Sequence, residues 1–396
     1  MRRSQAPMAV VLSVLVTGAP LGAAGSEAER TLGAESLCAL DLGFRFASAI
    51  EVDPKDQGMA QQGVVIEAAM LGALDLAVRQ TETMRGWRQG SAFAGLALEC
   101  ARSGHQDEAR KLLQRAETIQ SSTAGWQGVR IAAQIAEVRA ALGDRVQAQE
   151  SAASLAAADV QYAARAAAIA ALAQAASGAF EEAFTRLATL AGEQDFEPAW
   201  WRADAYLQIA KLPRASEAVR RRALAEARSA AQAIPGWKQV EVLATLASEY
   251  KTFGDADAAR ETLLAAERLG SGYEDTLAAK GTLLALTAQA WGTLGETERA
   301  VALLAKADLA TAQALPIDRP GLEADLAAAW FEIGKADEAR RRFTAALDRA
   351  AALVNSRPRA LAVARACRAM ARCGAGADAA TTARLEGLLA GLGDPW

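Results

Sequence analysis

The stretch ARSGHQDEARKLLQRAE (Ala101–Glu117) decides how the chain folds, because one helical pattern ends within it and another begins. Gly104 separates the two patterns, as a glycine does when it ends a helix in the left-handed conformation. Asp107 and Glu108 follow, where acidic side chains favour the positive end of a helix dipole. The stretch also holds His105, the single histidine of 396 residues. Two interpretations follow: a turn between two helices, or part of an active site.

The spacing found in this stretch recurs along the chain. An alanine follows a glycine at an interval of five residues in six places, and the glycines are Gly104, Gly143, Gly178, Gly254, Gly295 and Gly334. The steps between them are 39, 35, 76, 41 and 39 residues, and 76 is two steps of 38. In four of the repeats a large and then a small apolar residue follow the alanine at intervals of four and three, as Leu113 and Ala116 do. These positions share one helix face, so the period predicts stacked helical hairpins.

With this pattern the chain resembles the tetratricopeptide-repeat family. The resemblance covers Gly86 to the C-terminus, and it rests on a small residue seven positions before each glycine, the turn glycine, and Ala-x3-Leu/Phe-x2-Ala beyond it. It implies an all-α fold, a right-handed α-solenoid of about eight to nine antiparallel helical hairpins. The period of about 39 residues departs from the family and leaves a generic α-solenoid as the alternative. The hairpin WWRADAYLQIAKLPRASEAVRRRALAEARSAA also lacks the turn glycine and breaks at Pro213.

Three segments are expected. Residues 1–25 are predicted to be a signal peptide, because Arg2 and Arg3 precede a short apolar run that small residues follow. Residues 26–85 are predicted to be N-terminal capping helices, two helices around the turn EVDPKDQG, and residues 86–396 to be the repeat solenoid. The signal segment predicts an exported, periplasmic protein, and an uncleaved N-terminal anchor is the less favoured alternative. Beyond this segment nothing indicates association with a membrane.

No catalytic residue, cofactor or metal ion is expected. One histidine and four scattered cysteines form no cluster at metal-ligand spacing, and no phosphate-binding loop or nucleophile motif is present. The other repeats carry chemically varied residues where the first carries His105, which indicates a solvated turn without a shared role: Asp144, Ala179, Asp255, Glu296 and Lys335. The 43 basic and 47 acidic residues argue against nucleic acid as a partner. A protein or peptide partner is expected instead.

In the family, the first helix of each hairpin lines the concave surface. Counting back from each turn glycine predicts the residues of a partner-binding groove: Arg130, Glu137, Arg165, Glu241, Ser248, Lys251, Gln289 and Asp325. Trp200 and Trp201 are adjacent and cannot both face the core, so they are the candidates for exposed aromatic residues. By contrast, Trp87, Trp126 and Trp237 each lie 17 residues before a turn glycine and are predicted to pack between hairpins.

These features predict a non-enzymatic scaffold that binds a protein or peptide in the cell envelope. One alternative is an all-helical enzyme acting on cell-wall or other polysaccharide, which would use paired acids beside Trp200 and Trp201. That alternative predicts a closed ring whose carboxylates converge in one cavity. Another is a self-associating structural component of the envelope. The segment Arg357 to Trp396 has six arginines against three acids, which predicts a weakly anion-attracting end.

Overall fold

The computed structural model describes residues 32–192, 196–375 and 377–396, and the predicted signal peptide lies outside them. All regular structure among these described residues is helical, so the all-α prediction is confirmed. The α-helices, in chain order, are α1 (Ala34–Ser48), α2 (Pro54–Met70), α3 (Leu74–Thr83), α4 (Trp87–Arg102), α5 (Gln106–Ser121), α6 (Gly125–Ala141), α7 (Arg145–Ala158), α8 (Ala163–Ala176), α9 (Phe180–Ala188), α10 (Phe196–Lys211), α11 (Glu217–Ala231), α12 (Gly236–Thr252), α13 (Ala256–Ser271), α14 (Leu277–Thr293), α15 (Thr297–Gln313), α16 (Arg319–Glu332), α17 (Ala336–Ala351), α18 (Ser356–Cys373) and α19 (Ala379–Ala390).

The predicted turn glycines lie between the two helices of a hairpin. All six have a positive φ, between +77° at Gly334 and +93° at Gly178, so each adopts the conformation that glycine takes without strain. His105 is exposed and directly precedes α5, which confirms it as a turn residue. The helices that these glycines join pack closely, as α4 does with α5 and α16 with α17. The structure therefore confirms the hairpin repeat.

The N-terminal segment contains three helices instead of the two that were predicted. The stretch expected to be one helix is divided into α2 and α3, because Gly72 adopts a φ of +87° between them. Gly72 and Ala77 have the same spacing as the other turn glycines and their alanines. The hairpin repeat therefore begins one unit earlier than Gly86.

The helices form two layers. The even-numbered helices α2 to α18 each contact the next even-numbered helix, and the odd-numbered helices α3 to α17 pack against the even-numbered helices on either side, except α9, which packs mainly on α8. Helix α19 packs on α1. The even-numbered helices are called the inner layer and the odd-numbered helices the outer layer. Alanine supplies much of the contact between layers, as at Ala97, Ala109 and Ala116, each fully buried. Such small side chains allow the two helices of a hairpin to approach closely.

The two ends of the described chain pack together and close the repeat into a ring. Helix α1 packs along α18 as the outer helix of a hairpin does, and α18 also contacts α2. A Cβ atom at Gly43 of α1 would lie only 3.0 Å from the Cβ of Cys367, so glycine permits this close approach. The ninth hairpin is thus built from α18 and α1, which come from opposite ends of the chain. The capping prediction assumed a solvated face on the N-terminal helices, and α18 covers that face.

The arginines near the C-terminus take part in this closure. Glu67 of α2 has a side chain only 3% exposed and accepts hydrogen bonds from Arg368 and Arg372 of α18. Arg357 donates to Asp53 at 2.9 Å. Three further arginines of the segment are also engaged: Arg365 with Asp325, Arg384 with Asp348, and Arg359 with backbone carbonyls. The expected anion-attracting end is therefore wrong, because acids and carbonyls of the same ring already hold these guanidinium groups.

Successive helices of the repeat run in opposite directions, so the two rims of the ring differ. Because the helices of a hairpin are antiparallel, all turn glycines lie at one end of the inner layer, here called the glycine rim. The loops from each outer helix to the next inner helix lie at the other end, here called the loop rim. The loop between α1 and α2 belongs to the loop rim, since α1 occupies an outer position.

Candidate functional site

The junction between α10 and α12 differs from the other contacts of the inner layer. These two helices pack less closely than any other neighbouring pair of inner helices. They belong to the hairpin without a turn glycine: α10 ends at Lys211 before Pro213, and the Ser216 hydroxyl accepts the backbone N–H of Val219 to begin α11. A cavity of about 20 Å³ lies at this junction, which is room for one water molecule. The residues that line it are Trp200, Asp204, Leu207, Gln208, Lys211, Glu241, Val242 and Thr245.

Two carboxyl groups line this cavity. Burial raises the pKa of Asp204 against the attraction of Arg102, and Glu137 raises it further. A hydrogen bond with Gln208 and the charge of Lys211 also oppose the rise. Burial also raises the pKa of Glu241, against the attraction of Lys238. The Oε1 atom of Glu241 has no hydrogen-bond partner among the described residues. An acid with a raised pKa beside an unsatisfied oxygen leaves the cavity able to accept a donor from a ligand.

Three ion pairs lie in or beside this cavity, and one of them includes Glu241. The Arg165 Nε lies 2.7 Å from Glu137, the Lys238 Nζ 3.0 Å from Glu241, and the Lys211 Nζ 2.7 Å from Glu249. Asp204 is the acid of this group that has no cation at ion-pair distance among the described residues. The surface is called the α10–α12 cluster, and its members are Glu137, Arg165, Trp200, Trp201, Asp204, Lys211, Lys238, Glu241 and Glu249. Its acids outnumber its cations by one.

The two adjacent tryptophans of the cluster are both half-buried. Their rings meet edge to face with centroids 4.4 Å apart. Arg165 lies over the ring of Trp201 at 4.9 Å, and Lys238 lies 6.0 Å from the centroid of Trp200. The cations that pair with Glu137 and Glu241 therefore also contact the tryptophans, so charge and aromatic surface form one continuous patch.

The structure brings together five of the ten residues proposed from the sequence: Glu137, Arg165, Glu241, Trp200 and Trp201. Arg130 instead stacks on Trp87 at 5.6 Å, and Asp325 pairs with Arg365 of the next inner helix and accepts a hydrogen bond from Thr282. The other three are separate and bind no common neighbour: Ser248 donates to the Ala244 carbonyl, Lys251 donates to the Thr293 carbonyl, and Gln289 is half-buried on α14. Half of the residues predicted from the sequence therefore lie at one junction, and the other half do not form a common site.

Sequence reasoning missed Asp204, Lys211, Lys238 and Glu249. Groove positions were counted back from turn glycines, and α10 has no such glycine, so Asp204 and Lys211 had no reference point. The prediction of which tryptophans are exposed was also wrong in one case. Trp126 was expected to pack between hairpins, but it is 63% exposed and meets Trp87 edge to face at 5.2 Å. A fixed position in the repeat therefore does not guarantee burial.

A larger, open groove of about 600 Å³ lies between α5 and α7. Residues of α6 form part of its lining, among them Val129, Ala132 and Ile135. Its central cation, Arg139, is already held by Glu117 at 2.8 Å and by the Ser151 hydroxyl at 2.7 Å. The other acid of this groove, Glu150, is exposed to water and so needs no partner, which leaves the α10–α12 cluster as the stronger candidate site.

Neither a metal centre nor a membrane-spanning helix is found in the part of the chain that the structure describes. No three His, Cys, Asp or Glu side chains within those residues are arranged to hold a metal ion. No helix there is both long and apolar enough to cross a bilayer. The chain matches no protein-family model and none of the curated proteins with which it was compared.

Proposed function

We propose that the chain is a non-enzymatic scaffold that binds a segment of a protein partner in the cell envelope, at the α10–α12 cluster. The observation that carries this proposal is the patch of Trp200 and Trp201 beside an acid without a cation, at the least closely packed junction of the inner layer. Half-buried tryptophans supply contact area at low entropic cost, and they are enriched where proteins bind one another. A loosely packed junction can adjust to a ligand with little loss of core contacts.

The charge of the cluster favours one chemistry in the partner. Glu137, Glu241 and Glu249 each have a cation at ion-pair distance, whereas Asp204 has none among the described residues and bonds only to the neutral Gln208. A lysine or arginine of the bound segment would pair with Asp204 and donate to the unsatisfied oxygen of Glu241. Such a charge-assisted hydrogen bond is stronger than one between neutral groups. The proposed partner segment therefore carries a basic residue next to an apolar or aromatic one.

Panning of a phage-displayed random peptide library against the purified chain tests this proposal. We expect enriched peptides to contain lysine or arginine beside an apolar residue. We expect Trp201→Ala and Asp204→Asn each to weaken their binding by about tenfold or more, close to the 1.4 kcal/mol of one lost contact. Trp126→Ala is the matched control, because Trp126 is exposed but lies outside the cluster. Failure to enrich any peptide, or equal losses in all three variants, would contradict the proposal.

One observation also favours the polysaccharide-degrading alternative. The ring is closed, and Asp204 and Glu241 line the same cavity, as that alternative predicts. A carboxyl group with a raised pKa can remain protonated and act as a general acid, while a second carboxylate acts as base or nucleophile. The cavity of about 20 Å³ would have to widen by separation of α10 and α12 before a sugar could enter.

Release of reducing ends from peptidoglycan and from a panel of polysaccharides tests this second candidate. If the chain is such an enzyme, Asp204→Asn and Glu241→Gln each abolish the release, whereas Glu249→Gln keeps it. An inactive wild-type chain that binds library peptides would exclude the enzyme and leave the scaffold.

A further inference from the structure

The exposed large apolar side chains are concentrated on one rim of the ring. Ten such side chains are exposed among the described residues, and nine lie in the loops of the loop rim or in the helix ends beside them: Val52, Trp126, Val160, Leu269, Leu277, Leu309, Leu315, Ile317 and Val354. The tenth, Val146, lies beside the glycine rim. Isolated exposed apolar residues need no explanation, but this separation between two rims of one ring does.

The closed ring gives these side chains a common orientation. Each loop of the loop rim joins an outer helix to the next inner helix, so the loop tips lie side by side around one end of the ring. The most exposed of them are Val160 at 83%, Val354 at 75% and Leu315 at 67%. Because they belong to different loops, they form a circle of separate apolar tips and not one continuous patch. A surface that meets all of them must be broad and must not require a matching pocket for each tip.

The same rim carries aromatic side chains, and Trp126 is one of the nine exposed residues above. Trp87, Trp126 and Trp237 occur in the first two residues of their inner helices, Tyr162 directly precedes α8, and Tyr273 lies in the loop before α14. All five are at least partly exposed. Tryptophan and tyrosine are enriched where a protein meets the headgroup region of a bilayer, with aliphatic side chains reaching further into the acyl chains.

The charge of the loop rim indicates which lipid headgroups it can bind, anionic or zwitterionic. The eight loops that the structure describes in full, each with the first three residues of the following inner helix, contain seven acids (Glu51, Asp53, Asp56, Asp159, Glu274, Asp275 and Asp318) and seven bases (Lys55, Arg85, Arg88, Arg165, Lys238, Arg319 and Arg357). Their sum is zero. These eight loops, without net charge, gain nothing from anionic lipid, so the affinity expected of them comes from apolar burial and is insensitive to salt.

We infer that the loop rim docks on the surface of a phospholipid bilayer, with its apolar tips in the acyl-chain boundary and its aromatic residues among the headgroups. Docking is peripheral and places the ring axis along the bilayer normal. The glycine rim then faces away from the membrane. This inference is independent of the proposed partner site, since none of the apolar tips belongs to the α10–α12 cluster.

Flotation of the full chain with phosphatidylcholine vesicles tests the inference, with phosphatidylglycerol-containing vesicles as a second arm. We expect wild type to float with both kinds of vesicle and to resist release by high salt. The variant L315E/I317E/V354E changes three exposed loop residues, and we expect it to lower the floated fraction by about tenfold or more, since each tip loses its favourable transfer to lipid. The matched control V146E places the same change beside the glycine rim and keeps wild-type flotation. Circular dichroism verifies that both variants remain helical.

Each remaining outcome overturns the inference. Wild type that does not float, or V146E that floats as poorly as the triple variant, contradicts docking through the loop rim. Flotation that requires phosphatidylglycerol and is released by salt assigns the affinity to charge. If light scattering shows a wild-type dimer that the triple variant dissociates, while vesicle binding is absent, the rim is an interface between two copies of the chain.

Discussion

The α1–α18 junction and the α10–α12 junction are the two irregular places in the ring. The helices that are far apart in the sequence pack closely, and those that are near in the sequence pack loosely. Helices α1 and α18 are separated by more than 300 residues, yet they pack as closely as many hairpin pairs. Helices α10 and α12 belong to consecutive hairpins, yet they leave a cavity between them. Beside the first junction, Glu67 of α2 is held by two arginines of α18. At the second, Asp204 is half-buried, bonds to Gln208 and has no cation at ion-pair distance among the described residues.

The difference shows that closeness in sequence does not set the quality of packing. At α1–α18 a glycine brings two backbones together, and beside it the buried Glu67 of α2 is paired with two arginines of α18. At α10–α12 the hairpin has no turn glycine, and Trp200 lines the cavity between the helices. Removing one partner of a buried ion pair is strongly destabilising, whereas a carboxylate desolvated without a cation is disfavoured and remains available to a ligand.

The largest expected effect comes from breaking the closure. Glu67→Ala leaves Arg368 and Arg372 without their shared carboxylate, and we expect a loss of about 3–5 kcal/mol in the free energy of unfolding. Urea denaturation measures it. The control is Glu217→Ala, because Glu217 and Arg221 form a pair in which both side chains are 77% exposed. That change should cost no more than about 0.5 kcal/mol. Similar losses in the two variants would mean that the buried pair does not hold the ring closed.

The next effect tests the close approach of the two helices. Gly43→Val places atoms where even a Cβ would lie 3.0 Å from Cys367, so α1 must move away from α18. We expect a loss of about 1–3 kcal/mol from overpacking, measured by thermal or urea unfolding. Gly387→Ala in α19 is the control, since nothing lies within 4 Å of its added Cβ. That variant should gain about 0.4–1 kcal/mol, because alanine restricts the unfolded chain. A stable Gly43→Val variant would contradict the packing described here.

At the α10–α12 junction, by contrast, we expect a substitution to increase the free energy of unfolding. Asp204→Asn removes a carboxylate that burial disfavours, and we expect the free energy of unfolding at neutral pH to rise by about 1 kcal/mol. A calorimetric scan at constant ionic strength measures the change. If the variant is instead less stable by a similar amount, Asp204 is satisfied within the ring, and its proposed role as an anchor for a basic residue is wrong.

The smallest effect is a difference in pH dependence between the two junctions. The pKa of Glu67 lies below its ordinary value of 4.5 because Arg372 and Arg368 outweigh its burial, so its stabilisation is complete above that pH and is lost as the pH falls through the folded-state pKa. The pKa of Asp204 is raised from 3.8 by burial, so its contribution is present below that pH and lost as the pH rises through the folded-state pKa. Acidification should therefore narrow the gap between wild type and Glu67→Gln and remove the advantage of Asp204→Asn. Urea midpoints measured at several pH values check both trends, and parallel curves would contradict them.

Much of the architecture could be predicted from local spacing. The six turn glycines, the solvated His105 and the break at Pro213 all follow from residues within one hairpin. The first hairpin was not predicted although Gly72 and Ala77 have the same spacing, because Thr81 stands where most other repeats carry leucine or phenylalanine. The candidate site was half predicted: Trp200 and Trp201 stood out as a pair, but Asp204 and Lys211 lie on a helix that has no turn glycine from which to count.

The sequence by itself determined the hairpins, because a left-handed glycine, an acidic first turn and a stripe of small residues act within about 40 residues of one another. Only the tertiary structure decided that the hairpins close into a ring, because the partner of α1 lies at the far end of the chain. Because the ring closes, arginines near the C-terminus that appeared unpaired in the sequence form ion pairs with Glu67 and Asp53. The closure also brought nine exposed apolar side chains from six separate connections to one rim. Each of these outcomes depends on which residues meet in space, and neither composition nor local periodicity records that.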